Sequence, residues 1–380
     1  MDTIKTNQAL LKAVENNDKK QVFQLLNEGL DISLTDKTGR SLLMIAVQQN
    51  ERSMVKELLA FGADVNQRDN TQLTPFICAA ANGFDEIVRE ILKTGAADLA
   101  SVNRFGGTAL LPSSEKGYLK TVQLCLNAGV PVNHVNRLGW SALLEAVILG
   151  NGGFLFQDVI RELVQHQADS SQVDATGRNA LDYAIEVGQD ELMAILDKEE
   201  TSEKNFTKIR NYLRSDELTK ALTVLKTLDQ SNLKVLYYLG YTYQRAKDYP
   251  KALEYYKKGW SKDDQFAFYV SNSYRMMGAI EQALQAYDQA IETDRSFFYR
   301  YHKSNFLREL GHHEDAVQLM DNLLADYPER VDFYFHKANS LRSLSRHQEA
   351  IEAMERAIQI EPGNPLFSEH RAQSIQLVKN

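Results

Sequence analysis

The chain has 380 residues, of which 43% are hydrophobic, and its formal net charge is −8 at pH 7. This length predicts two or three domains, each with a core of its own. No apolar run approaches the roughly 18 residues that a membrane-spanning helix needs, so we expect no membrane partner. Acidic residues dominate the first 200 positions and the remainder is nearly neutral. The charge of neither half therefore indicates the basic face of a nucleic-acid-binding protein.

The N-terminal sequence and the cysteines indicate in which cellular compartment the protein is found. The first residues lack the basic start and the hydrophobic stretch of a secretory signal. Only Cys78 and Cys125 are present, each at an apolar position of a predicted helix, which excludes a disulfide framework. We therefore expect a cytoplasmic protein whose two thiols are small core residues.

A repeat of 33 or 34 residues runs through the first half, with one longer step of 38. Each unit has Ala or Ser five residues after its opening position, and Gly or Asn nine residues after it. This period predicts stacked helix pairs. The ninth position should end the first helix in left-handed backbone, which Gly adopts freely and Asn next most easily. The opening positions are Gln8, Ser41, Thr74, Thr108, Ser141 and Asn179, and the ninth positions are Asn17, Asn50, Gly83, Gly117, Gly150 and Gly188.

Turn signals separate the predicted helix pairs. Segments 36–39, 103–106, 136–139 and 174–177 each begin with Asp or Asn and end with Gly, which predicts the tips of short β-hairpin fingers. Gln72 replaces the Gly expected in one finger, and Gln167 replaces the Gly that closes the second helix of the other units. We expect a weaker cap at Gln167.

The long step reflects an insertion of about five residues in the fifth unit. Its sequence, residues 151–156, is Asn-Gly-Gly-Phe-Leu-Phe. The apolar triplet either docks a partner or fills space against a neighbouring unit, and we favour the second interpretation.

A change of composition near residue 200 predicts a domain boundary, because 15 of the 17 tyrosines follow it. The charged stretch 197–204 is the predicted join. Beyond it a second repeat places Ala252, Ala283, Ala316 and Ala350 at steps of 31, 33 and 34, each followed by further apolar positions at helical spacing. A degenerate unit is predicted to begin near Asn205, and residues 366–379 are predicted to form a cap helix.

Two family resemblances follow from these motifs. Residues 1–199 resemble the ankyrin-repeat family, and the stretches 103–112 and 136–146 look like those of bacterial ankyrin proteins. Residues 200–380 resemble the tetratricopeptide-repeat family, with four to five repeats and the cap helix. The resemblance implies an all-α double solenoid that binds proteins or peptides and carries no cofactor. The His of the ankyrin signature is replaced in all six units, for example by Leu111, so the polar network that it makes in the family is absent.

The first helices of the second repeat share a polar and aromatic pattern. An aromatic residue, an Asn four positions later and an Arg three further on fall on one helical face, so stacked units would align them in three rows. Asn can bond to an extended peptide backbone, and Arg can bind carboxylates. We therefore expect a groove for an extended, acidic or C-terminal peptide; the alternative is that the aromatics only pack the helix pairs. These ladder residues are Phe268, Asn272, Arg275, Tyr301, Asn305, Arg308, Phe335, Asn339 and Arg342.

A second candidate surface lies on two adjacent finger tips of the first repeat. It combines Arg and aromatic side chains, which are enriched in interface hot spots, and we expect Trp140 to face solvent there. This finger patch comprises Arg104, Phe105, Arg137, Leu138 and Trp140.

Catalytic motifs are missing from the sequence. It contains no phosphate-binding loop, nucleophile elbow or zinc-ligand spacing. His312 and His313 are best interpreted as surface turn residues rather than as metal ligands with His336 or His347. Glu115 and Glu145 come from neighbouring units and are a candidate carboxylate pair, but nothing supplies a nucleophile.

We therefore interpret the chain as a non-catalytic cytoplasmic adaptor that binds protein or peptide clients through both repeats, with no small-molecule substrate. The alternative is a peptide- or toxin-sensing regulator in which binding to one repeat is coupled to the other. An adaptor would bind two partners independently, whereas a sensor would show linkage between them.

Overall fold

The computed structural model describes residues 3–197, 203–294 and 296–379. The chain divides into two compact units, Met1–Glu199 and Glu200–Asn380, which we call the N-terminal array and the C-terminal array. Residues 198–202 of the predicted join lie outside the described residues. The described residues of both arrays are almost entirely helical and contain only isolated β-bridges.

The N-terminal array consists of six helix pairs. From the second pair onward the first helix has only 6 or 7 residues, and four of these helices are capped by the side chain of Ser41, Thr74, Ser141 or Asn179 at the predicted opening position. The pairs are α1 (Thr3–Glu15) and α2 (Lys19–Asn27), α3 (Leu42–Gln48) and α4 (Arg52–Ala60), α5 (Pro75–Ala81) and α6 (Asp85–Lys93), α7 (Leu110–Glu115) and α8 (Leu119–Ala128), α9 (Ala142–Ile148) and α10 (Phe154–Gln165), and α11 (Ala180–Glu186) and α12 (Asp190–Leu196).

The left-handed turns confirm five of the six ninth positions. Asn17 and Asn50 have φ of 54° and 57°, and the glycines of the third, fourth and sixth units also have positive φ. The prediction is wrong at Gly150, because the insertion moves the left-handed residue to Gly152, with φ of 67°. Gly150 serves another purpose, since a Cβ there would lie 2.6 Å from a ring carbon of Phe156.

The fingers are tight turns whose pairing is limited to single bridges, Thr35 with Ser41 and Val135 with Ser141. In the first of them the Asp36 carboxylate accepts the backbone N–H groups of Thr38 and Arg40 at 2.8 and 2.9 Å. The turns are therefore as predicted, but the hairpin strands are reduced to these bridges. Gln72 and Gln167 adopt left-handed backbone, with φ of 65° and 67°, although neither residue is Gly.

The insertion lengthens both the turn and the helix that follows it. Five residues separate α9 from α10, against three between α3 and α4, and α10 has 12 residues where α4 has 9. Phe156 is fully buried, and a Cβ at Gly117 of the preceding unit would lie 2.9 Å from Leu155. The prediction that the insertion fills space against a neighbouring unit is confirmed.

The second helices share a buried apolar position, occupied by Val22, Val55, Val88, Val122 and Ile160 at 1% exposure or less. The sixth unit differs, because Met193 is only half-buried and Leu192 takes the core position.

The described residues of the C-terminal array form five helix pairs and a terminal helix, with a pair at the place of the predicted degenerate unit. Its pairs are α13 (Lys204–Arg214) and α14 (Leu218–Leu225), α15 (Leu233–Arg245) and α16 (Tyr249–Trp260), α17 (Phe266–Met276) and α18 (Ile280–Thr293), α19 (Phe297–Glu309) and α20 (His313–Asp326), and α21 (Val331–Ser343) and α22 (His347–Ile360); α23 (Pro365–Lys379) follows. Close approach of the paired helices depends on small residues: a Cβ at Gly240 in α15 would lie 2.3 Å from the ring of Tyr256 in α16.

Candidate functional site

The aromatic residues of the ladder lie in the core of the C-terminal array. Phe268, Tyr301 and Phe335 are 2%, 0% and 3% exposed. Each contacts the first helix of the next unit: the ring centroid of Phe268 is 5.0 Å from that of Phe298, and Tyr301 is 5.8 Å from Phe333. These rings therefore join consecutive units, and they do not form an exposed stacking surface for a client.

The asparagines and arginines of the ladder form hydrogen bonds within and between units. Arg308 Nη2 donates to Asn305 Oδ1, three residues earlier on α19, at 2.6 Å. Arg342 Nη2 donates in the same way to Asn339 on α21. Arg275 forms an ion pair with Glu309 of the next unit, with 3.0 Å between Nη1 and Oε2. The arginines that we expected to bind client carboxylates are thus engaged within the chain.

Histidines that were not expected in the groove complete this arrangement. Arg308 Nη1 lies 2.6 Å from His336 Nδ1 on the first helix of the following unit, and Arg342 Nη2 lies 2.9 Å from His370 Nδ1 on the terminal helix α23. A third histidine, His302, is buried against Phe268 and Phe298. A period of 34 residues relates the three histidines, and this spacing was the signal in the sequence that could have found them.

Asn339 presents an oriented donor. Its side chain is 6% exposed, its Oδ1 accepts from Arg342, and its Nδ2 is shielded from water without a hydrogen-bond partner. Because Arg has no acceptor atom, the amide cannot be flipped without losing this bond. The Nδ2 group therefore remains a donor whose partner the chain does not supply.

An exposed apolar side chain accompanies the ladder. Met276 lies four residues after Asn272 on α17, on the same helical face, and it is 44% exposed. Its i, i+4 spacing from Asn272 is the signal in the sequence that places it on that face.

The finger patch is less exposed than we expected. Trp140 is only 8% exposed, so the prediction that it faces solvent is wrong. Its backbone closes the finger turn: Asn136 Oδ1 accepts the Trp140 N–H at 3.1 Å, and the Trp140 carbonyl accepts the Asn136 N–H at 2.9 Å. The large apolar indole is buried in the array, whereas Arg40, which closes another finger in the same way, keeps a side chain that is 32% exposed.

The other members of the finger patch are partly or fully accessible. Arg137 is exposed, and its backbone N–H donates to the Phe105 carbonyl at 3.0 Å, which fixes the two fingers side by side. The Arg104 guanidinium lies 4.8 Å from the centroid of the Phe105 ring, and Leu138 is half-buried. The structure thus brings the two finger tips together as predicted.

The two carboxyl groups of the candidate pair in the N-terminal array, Glu115 and Glu145, interact electrostatically. Burial and, to a smaller extent, the neighbouring Glu115 raise the pKa of Glu145 well above its ordinary value, although a hydrogen bond from Asn136 at 2.8 Å acts in the opposite direction. The other oxygen, Oε2, is buried without a hydrogen-bond partner. A carboxyl with a raised pKa beside a second one is an acid–base candidate only where a nucleophile or substrate pocket accompanies it, and neither is evident among the described residues.

The cysteines and histidines show no reactive arrangement. Cys78 and Cys125 are buried and not joined in a disulfide, and burial raises the pKa of the Cys125 thiol to about 12. Within residues 3–197, 203–294 and 296–379, no group of three or more His, Cys, Asp or Glu side chains is suited to hold a metal ion. His312 pairs with Asp315 at 3.7 Å on the turn before α20. In the same described ranges, no helix has the length and apolar character needed to cross a bilayer.

Comparison with known families agrees with the geometry of the two arrays. The family profile for ankyrin repeats in three copies matches residues 10–103 and 110–207, which together are half of the chain. The chain belongs to the ankyrin-repeat family. Two tetratricopeptide-repeat profiles match residues 234–258 and 303–365, so this ankyrin-repeat protein continues into tetratricopeptide repeats. Both kinds of repeat are typical protein-interaction modules, and such architectures are commonly non-catalytic.

Bacterial proteins are among its relatives. YahD of Escherichia coli (strain K12), an ankyrin repeat protein, is 39% identical over 100 residues, which are 26% of this chain and 50% of YahD; the chain thus spans about half the length of this curated relative. An ankyrin repeat domain from Acinetobacter baumannii AYE is 41% identical, with a TM-score of 0.48 over 49% of this chain and 95% of the other. The ankyrin repeat protein EF0377 is 38% identical, with a TM-score of 0.48 over 50% and 96%.

Proposed function

We propose that the chain is a non-catalytic adaptor that binds an extended peptide segment of a client along the first helices of the C-terminal array. The asparagine row, Asn272, Asn305 and Asn339, supplies donors for the client's main-chain carbonyls. The finger patch of the N-terminal array provides a second protein-binding surface, through Arg137 and the partly accessible Arg104, Phe105 and Leu138.

The observation that carries this proposal is the oriented amide of Asn339. A buried amide donor without a partner costs about 1–3 kcal/mol, and an acceptor supplied by a ligand would recover that cost. A peptide carbonyl is the acceptor that extended backbones present at regular intervals. Arg308 donates to Asn305 in the preceding unit as Arg342 donates to Asn339, so the Asn–Arg hydrogen bond occurs in two successive units.

Affinity must come from more than the asparagines. Three hydrogen bonds contribute about 1 kcal/mol each, whereas association costs at least ~4 kcal/mol in lost translational and rotational freedom. The ladder aromatics are already buried and add little new apolar contact. Met276 is the accessible apolar side chain on the Asn272 face, and a client side chain that covers it would add to the affinity.

The test uses the full chain and an array of ten-residue peptides, each made with a free C-terminal carboxylate and with a terminal amide. Asn305→Ala combined with Arg308→Ala should abolish binding of the peptides that the unchanged protein captures. A preference for the carboxylate series would support an acidic or C-terminal client, and equal binding would favour main-chain recognition alone.

Two further variants guard against loss of folding. Asn339→Asp keeps the size of the side chain and its bond to Arg342 but removes the Nδ2 donor, so binding should fall while thermal stability stays unchanged. Arg356→Ala with Gln359→Ala removes a similar Arg–amide pair from the exposed face of the second helix α22, where Arg356 Nη1 donates to Gln359 Oε1 at 3.0 Å. This control should bind normally. If Asn305→Ala with Arg308→Ala and the separate variant Asn339→Asp both bind the peptides as the unchanged protein does, the proposed peptide-binding groove is wrong.

A further inference from the structure

The chain contains the dipeptide Asn-Gly twice, at Asn82-Gly83 and at Asn151-Gly152. Asparagine before glycine can lose ammonia, because the backbone nitrogen of the glycine attacks the side-chain carbon Cγ and no side chain hinders the five-membered ring that forms. In a folded chain, the hydrogen bonds of the attacking nitrogen and of the departing amide oppose this reaction, since they must break first. The two dipeptides differ in these bonds.

At Asn82 both reacting groups are engaged. The Gly83 N–H donates to the Ala80 carbonyl at 3.1 Å, in the turn that ends α5. The Asn82 Nδ2 group donates to the Cys78 carbonyl at 2.9 Å, so the amide that would leave is bonded to the helix. Ring closure at Asn82 therefore requires two hydrogen bonds to break.

The turn at the start of the insertion has the opposite arrangement. Among the described residues, neither the Gly152 N–H nor the Asn151 Nδ2 group donates a hydrogen bond. Asn151 Oδ1 accepts the Gly153 N–H at 3.1 Å. This oxygen gains negative charge when the Gly152 nitrogen attacks Cγ, and a donor that is already in place stabilises that charge. The backbone at Asn151 thus leaves the nucleophile available and polarises the carbon that it attacks.

We propose that Asn151 is a site of spontaneous deamidation in the folded chain and that Asn82 is protected. The Gly152 nitrogen loses its proton to a solvent base and bonds to Cγ of Asn151. The bond from Cγ to Nδ2 breaks, and Nδ2 takes up a proton from water and leaves as ammonia. Water then opens the succinimide ring at either of its carbonyls, which yields aspartate or isoaspartate. The reaction consumes only water, and it is independent of client binding.

The products change the insertion in two ways. Both replace a neutral amide by a carboxylate, and isoaspartate also adds one carbon to the main chain between residues 151 and 152. The turn has little room for this, because Gly152 has φ of 67° and a Cβ there would lie 2.7 Å from Gln189 Nε2 of the next unit. The same turn leads into the fully buried Phe156. Isoaspartate at this position therefore loosens the packing of the fifth unit.

The first test incubates the full chain in mildly alkaline buffer, both folded and in guanidinium chloride, and follows the two dipeptides by peptide mass spectrometry. In the folded chain Asn151 should convert at least about tenfold faster than Asn82, because two hydrogen bonds must break at Asn82. In guanidinium chloride the two rates should become similar. Equal rates or no conversion in the folded chain would overturn the proposal. A rate ratio that persists in the denatured chain would also overturn it, because sequence rather than hydrogen bonding would then cause the difference.

The second test identifies the product. Asn151→Gln is the matched control, because it keeps an amide but its ring closure would form a less favourable six-membered ring. The probe is a methyltransferase that adds labelled methyl groups to isoaspartyl carboxylates. After identical incubation, the unchanged chain should accept more methyl groups than the control and should unfold at a lower temperature. Equal methylation would contradict isoaspartate at residue 151, and equal unfolding temperatures would contradict the loosened fifth unit.

Discussion

The two arrays join their repeats in different ways. In the N-terminal array, four units carry a local cap such as Ser41, whose hydroxyl accepts the Met44 N–H at 3.1 Å, and left-handed turns such as that at Asn50 end the first helices. In the C-terminal array, aromatic rings and arginine bonds link residues 28 to 35 positions apart, as between Arg308 and His336 or Tyr301 and His336. Some of its first helices, including α17 and α21, lack a side-chain cap.

This contrast separates local from long-range stabilisation. Caps and turns contribute about 1 kcal/mol each and act within four residues. Contacts between units bury whole aromatic rings, and each of them depends on two units being in register. We therefore expect substitutions at turns of the N-terminal array to have small effects, and substitutions at packed contacts in either array to have large ones.

The insertion provides the largest expected effect. Phe156→Ala should destabilise the protein by about 3–5 kcal/mol, because the ring is fully buried and its loss leaves a cavity. Phe23→Ala is the control, since Phe23 is 55% exposed and contacts Phe61 edge-on at 5.6 Å. Urea unfolding of both variants measures the difference. Equal stability losses would contradict the space-filling role of the insertion.

A pair of glycines compares the arrays directly. Gly240→Ala should cost about 1–3 kcal/mol, because the new Cβ would lie 2.3 Å from the Tyr256 ring. Gly29→Ala should cost only about 1 kcal/mol, since Gly29 has φ of 92° and nothing within 4 Å of the new Cβ. Thermal unfolding of the two variants measures which of them loses more stability. A larger cost at Gly29 would show that backbone strain outweighs packing.

Glu145 predicts a pH dependence confined to the N-terminal array. Its carboxyl binds a proton more tightly in the folded chain than in the unfolded chain, so its contribution is most favourable below its ordinary pKa of 4.5 and is lost as the pH rises through the raised folded value. Glu145→Gln should therefore raise the stability by about 1 kcal/mol at pH 8, through relief of buried charge.

The gain from Glu145→Gln should vanish at pH 4, where the unchanged carboxyl is protonated in the folded chain. Unfolding of both proteins across this pH range tests the sign. A gain that is independent of pH would mean that burial and Glu115 do not perturb this carboxyl.

The smallest expected effect is at a turn. Gln167→Gly should stabilise the protein by about 0.5–1 kcal/mol, because Gln167 has φ of 67°, where Gly lacks the Cβ penalty. Gln24→Gly within α2 should instead destabilise it by a similar amount, since Gly weakens helix interiors. Calorimetry of the two variants should give midpoint shifts of opposite sign, and shifts of the same sign would contradict the assignment of the turn.

Much of the fold could be predicted because repeat units carry local signals. The helix pairs, the left-handed turns at Asn17 and Gly188, and the cap helix α23 follow from spacing and from residue types with one dominant backbone role. The errors occurred where a neighbouring segment overrode a local rule. At Gly150 the insertion changed the turn, and at Trp140 the large apolar indole is buried in the array where other fingers carry a partly exposed Arg.

The candidate site was predictable only in part. The spacing of Asn305 and Arg308 placed them on one helical face, and the structure confirms their contact at 2.6 Å. The spacing did not show that Phe268, Tyr301 and Phe335 are buried between units, or that the arginines already have partners. Those facts depend on which side chain of the next unit comes within reach.

The sequence by itself determined the kind of repeat in each half, because a period, a cap and a turn act within one unit and leave a recognisable pattern. Only the tertiary structure decided what each groove residue does. His336 and His370 lie 28 residues beyond the arginines that they hold, and hydrogen bonds that cross from one unit to the next depend on the stacking of the units. That stacking gives the arginines of the Asn–Arg pattern partners in the following helix.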